Sequence, residues 1–594
     1  MLTPRPLAAP RTAPSAQARR RARFAAALAL PVAAAIVLAG CATAAEPAVV
    51  VSDDSSTQAA ESSSAASALT GSSDAHQSAA DVIAANQETH DDAGDAEYDT
   101  ADAIEIALEG DGASADGEGV GVDGSTVTIT GAGTYLLTGS LTGSLVVDSA
   151  AEGTVTLVLD GVDITNAAGA AINVVAAGEA VIVLAEGSTN TLSDASSYAD
   201  DAEANAALYS AADLTITGTG ALSVHGNGND GIASADGLVI QSGTIEVDAV
   251  DDGVRGKDYL VIRDGDLEVT AGGDGLKSDN EEDAERGYIL IEGGTIAVDA
   301  GDDGLDAFTD VVTTAGTITV VAGGGADAAT SEGTANGLKA GAIAVLEGGT
   351  IDIDAAADAI NTDAYAHLAG ATLTASAGDD AVHAELQLVI SAGVNTVARA
   401  VEGLESGEIE ISGGETSVVA DDDALNVSSP DTGSAAMTLL ISGGTLTATG
   451  GGDGIDVNGT WTMTGGTVVA AGPAAGGDGA IDADGGIQIS GGTLVALGGS
   501  PSVPTDAGQS AAQFSLAAAE GDELVLTDTA GTTLASVVAP ASAASVIVSA
   551  AGVASGSTYT LSAGGTAATA TAGELTGTMG GGMGGGGQGG PGRP

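Results

Sequence analysis

The stretch Val250-Asp251-Asp252-Gly253-Val254-Arg255-Gly256-Lys257-Asp258 is answered 22 residues on by Gly272-Gly273-Asp274-Gly275-Leu276-Lys277-Ser278-Asp279. It is answered again by Gly301-Asp302-Asp303-Gly304-Leu305-Asp306. Each copy holds one phrase: an acid or its near equivalent, a Gly or Ala, an aliphatic residue, a polar residue, then usually a small one. The phrase starts at Asp230, Asp252, Asp274, Asp303, Asn336, Asp358, Asp380, Glu402, Asp423 and Asp453. The gaps are 22, 22, 29, 33, 22, 22, 22, 21 and 30 residues. A constant period with occasional longer gaps is one structural turn repeated, with loops let out on some turns.

From about 125 to 500 the pattern is strand, turn, strand, turn. Leu238-Val239-Ile240, Thr244-Ile245-Glu246-Val247, Ile289-Leu290-Ile291 and Thr295-Ile296-Ala297-Val298 are short apolar or alternating runs. Gly-Gly-Thr closes turns at 293–295, 348–350, 443–445, 465–467 and 491–493. Each period holds three short strands and no amphipathic helix. That predicts an all-β chain, a parallel β-helix with three short strands per 22-residue coil. A jelly roll gives no reason for the period, and a doubly wound fold lacks its helices. Aliphatic third positions from Ile232 to Ile455 then stack as an internal ladder, with coils about 4.8 Å apart. Phe514-Ser515-Leu516, Glu523 to Leu526, Ser545 to Val548 and Tyr559 to Leu561 predict a small antiparallel β-unit covering the open end.

The chain holds 82 acidic and 14 basic residues among 594. Six of the basic residues lie in the first 40, which contain no acid. So acidic a remainder excludes nucleic acid as a partner. Arg19, Arg20, Arg21 and Arg23 precede an apolar run, Ala25 to Leu38, that is too short to span a bilayer. Leu38-Ala39-Gly40-Cys41 follows and resembles a bacterial lipobox, with Cys41 the lipidated residue. The expectation is a lipoprotein on the outer face of the cytoplasmic membrane, held at the cell surface by its lipid. The domains expected are a signal peptide (1–40), a disordered Ser/Ala/Asp-rich tether (41–100), the β-helix (101–505), the C-terminal β-unit (506–570) and a Gly-rich disordered tail (571–594). His76 and His90 are read as solvated tether residues. A monomer is expected.

Placed on a strand, the fourth position of the phrase points outward. That column reads Ala233, Arg255, Lys277, Asp306, Lys339, Asn361, His383, Glu405, Asn426 and Asp456. Three of the seven basic residues between 125 and 500 fall in it. A basic strip of Arg255, Lys257 and Lys277 could grip sugar hydroxyls or uronate carboxylates, or simply neutralise the acids beside it. Stacked carboxylates repel and must take up protons or a cation. Calcium wants six to eight oxygens, and the densest acids are Asp251, Asp252, Asp274, Asp279, Asp302, Asp303 and Asp306.

The run from Asn229 to Ser234, then Asp251 to Asp258, Gly272 to Asn280, Arg286-Gly287-Tyr288 and Gly301 to Gly304, resembles a bacterial carbohydrate-binding β-helix family similar in fold to polysaccharide lyases. Leu157 to Val162, Ser188 to Leu192 and Asn205 to Ser210 fit the same pattern. The resemblance covers about residues 125–565. It implies a right-handed β-helix with bound calcium that binds polysaccharides such as cellulose or pectin, without catalysis. Val254 and Arg255 depart from the Ile and Lys expected, and Ala replaces Gly in three phrases after about 355. The rival is a calcium-dependent polysaccharide lyase performing β-elimination on uronans. It would resemble a lyase pocket of four acids, here Asp279, Asp302, Asp303 and Asp306, with Lys277 or Lys339 as base. An adhesive surface rod is the third reading.

Overall fold

The computed structural model describes residues 75–576, apart from 151, 200–201, 329–333, 431–436 and 475–476. The signal peptide, Cys41, the first part of the tether and nearly all of the Gly-rich tail lie outside the described residues. Within them the regular secondary structure is nearly all strand, with one helix, α1 (Ala79–Ala85). No helix among the described residues is long and apolar enough to cross a membrane.

The strands are laid down in threes. Thr244–Ala249, Val254–Gly256 and Tyr259–Ile262 are followed by Asp266–Ala271, Leu276–Ser278 and Tyr288–Ile291, and each pairs in parallel with its equivalent. Successive coils thereby build three parallel sheets. The register superposes the phrase on itself: Ile232, Val254, Leu276, Leu305, Leu338, Ile360, Val382, Leu404 and Leu425 are consecutive partners. All nine are buried. The longer gaps are loops let out between successive strands of a coil, as at 279–287.

The three sheets differ in burial, and their sequences say why. Strands such as Thr244–Ala249 and Thr295–Ala300 alternate exposed and buried residues, so one face meets water. Strands such as Tyr259–Ile262 and Ile343–Leu346 are buried throughout. Their outer face carries a second apolar cluster, including Val239, Tyr259, Val261, Tyr288, Leu290, Val312 and Val345, covered by Ala75, Ala79 and Val82.

The covering segment corrects the tether assignment. Residues 75–97 do not float free; they lie along the coils as a strap. Ser78 opens α1 with a reciprocal capping box to Asp81. Asn86 donates to buried Asp310 at 2.8 Å, Tyr288 donates to the Gln87 carbonyl at 2.7 Å, and Arg263 binds Asp91 at 2.7 Å. The two histidines expected in solvent are also engaged. His90 lies 2.7 Å from the Tyr259 hydroxyl and 2.9 Å from that of Thr215, and His76 pairs with Glu410 at 3.3 Å. Local composition makes this segment look structureless, but the apolar sheet face waiting for it supplies the burial it lacks alone.

At the C-terminal end, Ala543–Ser549 pairs antiparallel with both Thr493–Leu497 and Ala511–Ala518, continuing the coil sheet. Glu523–Thr527, Thr533–Val538, Thr558–Ala563 and Thr566–Thr571 form a separate four-stranded antiparallel sheet. At the other end, two antiparallel hairpins, Ile104–Gly110 with Ala113–Ala115 and Val120–Asp123 with Thr126–Ile129, precede the first coils.

Candidate functional site

The residue that starts the phrase does two jobs at once on several coils. One carboxylate oxygen accepts the backbone N–H of the equivalent residue on the next coil. Asp252 accepts from Asp274 at 3.0 Å, Asp274 from Asp303 at 3.0 Å, Asp303 from Asn336 at 2.7 Å and Asp358 from Asp380 at 2.9 Å. Asn336 takes its place in the chain of acceptors through its amide oxygen, 3.3 Å from the Asp358 nitrogen. The other oxygen turns toward the neighbouring outward file. That file is the expected one: Arg255, Lys277, Asp306, Lys339, Asn361, His383, Glu405, Asn426 and Asp456 are consecutive register partners.

Cations and acids interlock along it. Arg255 bridges Asp230 at 3.2 Å and Asp279 at 3.1 Å. Lys277 bridges Asp252 at 3.1 Å and Asp274 at 2.6 Å, and Lys339 bridges Asp303 at 3.2 Å and Asp306 at 3.3 Å. Burial disfavours both ammonium groups. The hydrogen bond to Asp274 and the charge of Asp252 outweigh it at Lys277, as the charges of Asp306 and Asp303 do at Lys339, so both pKa values rise above the ordinary lysine value. Burial pushes the acids up as well, Asp230 to about 7 and Asp303 to about 6.

Of the seven acids expected to gather around calcium, the structure brings three together. Asp274, Asp303 and Asp306 place carboxylate oxygens within 4.8 Å of one another. Asp252 stands across Lys277 from Asp274, and Asp279 belongs to Arg255. Asp251 and Asp302 are exposed. Of the expected basic strip, Arg255 and Lys277 share the file, while half-buried Lys257 makes no ion pair among the described residues. An all-oxygen donor set of this kind fits a hard cation such as calcium, but here Lys277 and Lys339 contact the same carboxylates.

Two groups went unnoticed in sequence. Asp453, Asp456 and Asp482 also converge within 4.8 Å. No Lys or Arg occurs between Arg399 and Arg593, so no basic side chain of that stretch offsets their charge. Burial, aided by the charge of Asp423, pushes Asp453 up to about 7, and Asp456 rises to about 6. The second group is Asp380, His383 and Glu405. Burial opposes the His383 imidazolium, yet the adjacent carboxylates of Asp380, Glu385 and Glu405 raise it to about 12. Both groups could have been read from the outward column, which already held His383, Glu405 and Asp456. Counting acids close together along the chain pointed elsewhere, because the neighbours that matter are one coil away.

A cleft of about 260 Å³ opens beside His383, lined by Glu385, Glu405, Ser406, Ser428 and Pro430 among others. A shallower cleft of about 430 Å³ runs over stacked turns that include Gly218, Gly243, Gly265 and Gly294. All four glycines have φ between 88° and 125°, so side chains are excluded there and the turns stay flat.

Residues 123–381 match a family described as carbohydrate-binding domain-containing protein. A carbohydrate-binding domain-containing protein of Acetivibrio thermocellus is 41% identical over 126 residues, which are 20% of this chain and 44% of the relative. The chain thus spans less than half the length of that curated relative. A solved structure, that of the polysaccharide lyase-like protein from C. thermocellum as a gadolinium derivative, is 38% identical. The match covers 37% of this chain and 92% of that one, with a TM-score of 0.37.

Proposed function

We propose, starting from the match of residues 123–381 to a carbohydrate-binding domain family, that this chain is a polysaccharide-binding protein of right-handed parallel β-helical fold. The right hand rests on the general preference of parallel crossover connections. The observation that carries the functional reading is the continuous outward file from Arg255 to Asp456, in which polar groups recur once per coil. Coils spaced about 4.8 Å apart present hydrogen-bonding groups at nearly the length of one sugar ring, which suits a linear glycan better than a small sugar. The acids that start the phrases run beside this file and make the face acidic, so a uronan would need calcium between its carboxylates and those of the protein. Asp274, Asp303 and Asp306 would hold one ion and Asp453, Asp456 and Asp482 another, and the metal would supply charge neutralisation. Cys41 would carry the lipid that keeps the chain at the cell surface; lipid labelling that persists in Cys41→Ser would refute that placement.

The non-catalytic reading is favoured over the lyase by the lysines themselves. Lys277 and Lys339 each donate to two carboxylates that hold their protons on, and a general base must be deprotonated to take the substrate's proton. The test is retention on pectate and cellulose gels with calcium or with EDTA. Calcium-dependent retention on pectate that weakens with salt is expected. Asp303→Asn should reduce it roughly tenfold without unfolding the chain, because Asn336 shows that an amide can serve in the acceptor ladder. Retention on neither gel would sink the proposal. Release of unsaturated uronides from polygalacturonate would favour the lyase instead.

A further inference from the structure

The His383 group differs in kind from the two all-carboxylate triads. Nδ1 of His383 lies 3.2 Å from Asp380 Oδ2 and 3.3 Å from Glu405 Oε2. A single N–H can be directed at one of these oxygens but not at both. Lys277 and Lys339 meet two acids with separate protons of one ammonium; an imidazole nitrogen has no such option. A metal ion placed among the three atoms satisfies all of them together. Tetrahedral zinc with bonds of about 2.0–2.1 Å sets neighbouring donor atoms about 3.3 Å apart, which matches both spacings from Nδ1, and the two carboxylates lie within 4.8 Å of each other.

The surroundings are those of a supported centre. The far ring nitrogen, Nε2, faces Glu385 at 3.6 Å, so an imidazole bound through Nδ1 would turn its N–H toward a carboxylate. Ser428 donates to Glu405 Oε1 at 2.7 Å and fixes that carboxylate from behind. Asn426, the register partner of Glu405 and 9% exposed, lies against it through Nδ2, and its buried Oδ1 accepts no hydrogen bond. That is a polar oxygen without a donor beside the group. The cleft lined by Ser406, Ser428, Ser429 and Pro430 leaves room for a fourth ligand.

We propose that Asp380, His383 and Glu405 form a site for a borderline divalent ion of the zinc class, with its fourth position open to the cleft. An imidazole with two carboxylates selects such an ion over calcium, which prefers oxygen alone. The full chain, dialysed to equilibrium against zinc chloride in excess calcium, should retain one zinc that calcium does not displace. His383→Gln should weaken binding on the order of 100-fold and Glu385→Gln roughly 10-fold, with unchanged melting in EDTA showing that each variant is folded. X-ray absorption on the zinc-loaded native chain gives a readout independent of any variant and should show one imidazole among the light-atom ligands. No calcium-resistant zinc, equal retention by folded His383→Gln, or a shell without imidazole would each overturn the site.

Discussion

The second residue of the phrase shows how tightly one coil constrains the next. A Cβ added at Gly275 would lie 2.2 Å from Val298 Cγ1, and at Gly253 it would lie 2.3 Å from Val269 Cγ1. Gly337 meets Ile353 in the same way, and Ile353 is the register partner of Ala375. On that next coil the phrase carries Ala359 in place of glycine. Where the facing residue shrinks to alanine, the glycine is no longer needed. Ala424 repeats the exchange, since Gly403 faces Val418 and the partner of Val418 is Ala448. The loss of glycine after residue 355, legible only as a softening of the repeat in sequence, is thus a change in packing partner. Ala381 does not follow the rule, since the partner of Ala375 is Val397, and the register shifts beside it accompany the exception. Gly275→Ala should cost about 1–3 kcal/mol through overpacking, measured by urea denaturation. Adding Val298→Ala should recover part of the loss, whereas an additive double variant would show that the two side chains do not compete for one space.

At the scale of elements, the instructive case is the strap. Its own sequence argues for disorder, and no periodicity in 75–97 marks it as structured. The signal for it lies in other strands: Tyr259–Ile262, Tyr288–Ile291 and Ile343–Leu346 are apolar at every position. A strand buried on both faces requires a cover, and nothing in the repeat itself provides one. Tyr259 and Tyr288 stack beneath it with ring centres 5.4 Å apart. Arg263, paired on the coils with Glu292, ties the strap down through Asp91 and Thr89. Arg263→Met should therefore loosen the strap and leave the coils intact. Limited proteolysis should cut between residues 75 and 97 in the variant before any cut in the coils. Resistance equal to the parent would mean that apolar packing alone holds the segment. Stacking of the phrase was legible because each coil repeats the same local instruction; the strap was not, because one segment meets six or more coils only once the sheets exist.

The whole molecule is a stack of acids held close together, and its stability should depend on pH in an unusual direction. Burial raises Asp236 and Asp310 to about 7, and Glu402 and Asp453 likewise. Groups with raised folded pKa values bind more protons in the native chain than in the unfolded one. Their contribution is complete below the ordinary carboxyl pKa of about 4 and is lost as pH rises through 6 to 7. In EDTA the melting temperature should fall by about 5 °C or more from pH 5 to pH 8, and calcium should restore more of it at pH 8 than at pH 5. Calorimetry showing a steady rise over that interval would contradict the assignment of these acids. Sequence by itself determined the period, the inward aliphatic ladder and the membership of the outward file, because a strand's two-residue alternation and a constant repeat length suffice to align equivalent positions. Only the tertiary structure decided which acids share a space, which lysine stands between them and what covers the tyrosine face. Those contacts join residues on different coils or at distant points in the chain, and their distances exist only after the coils have stacked.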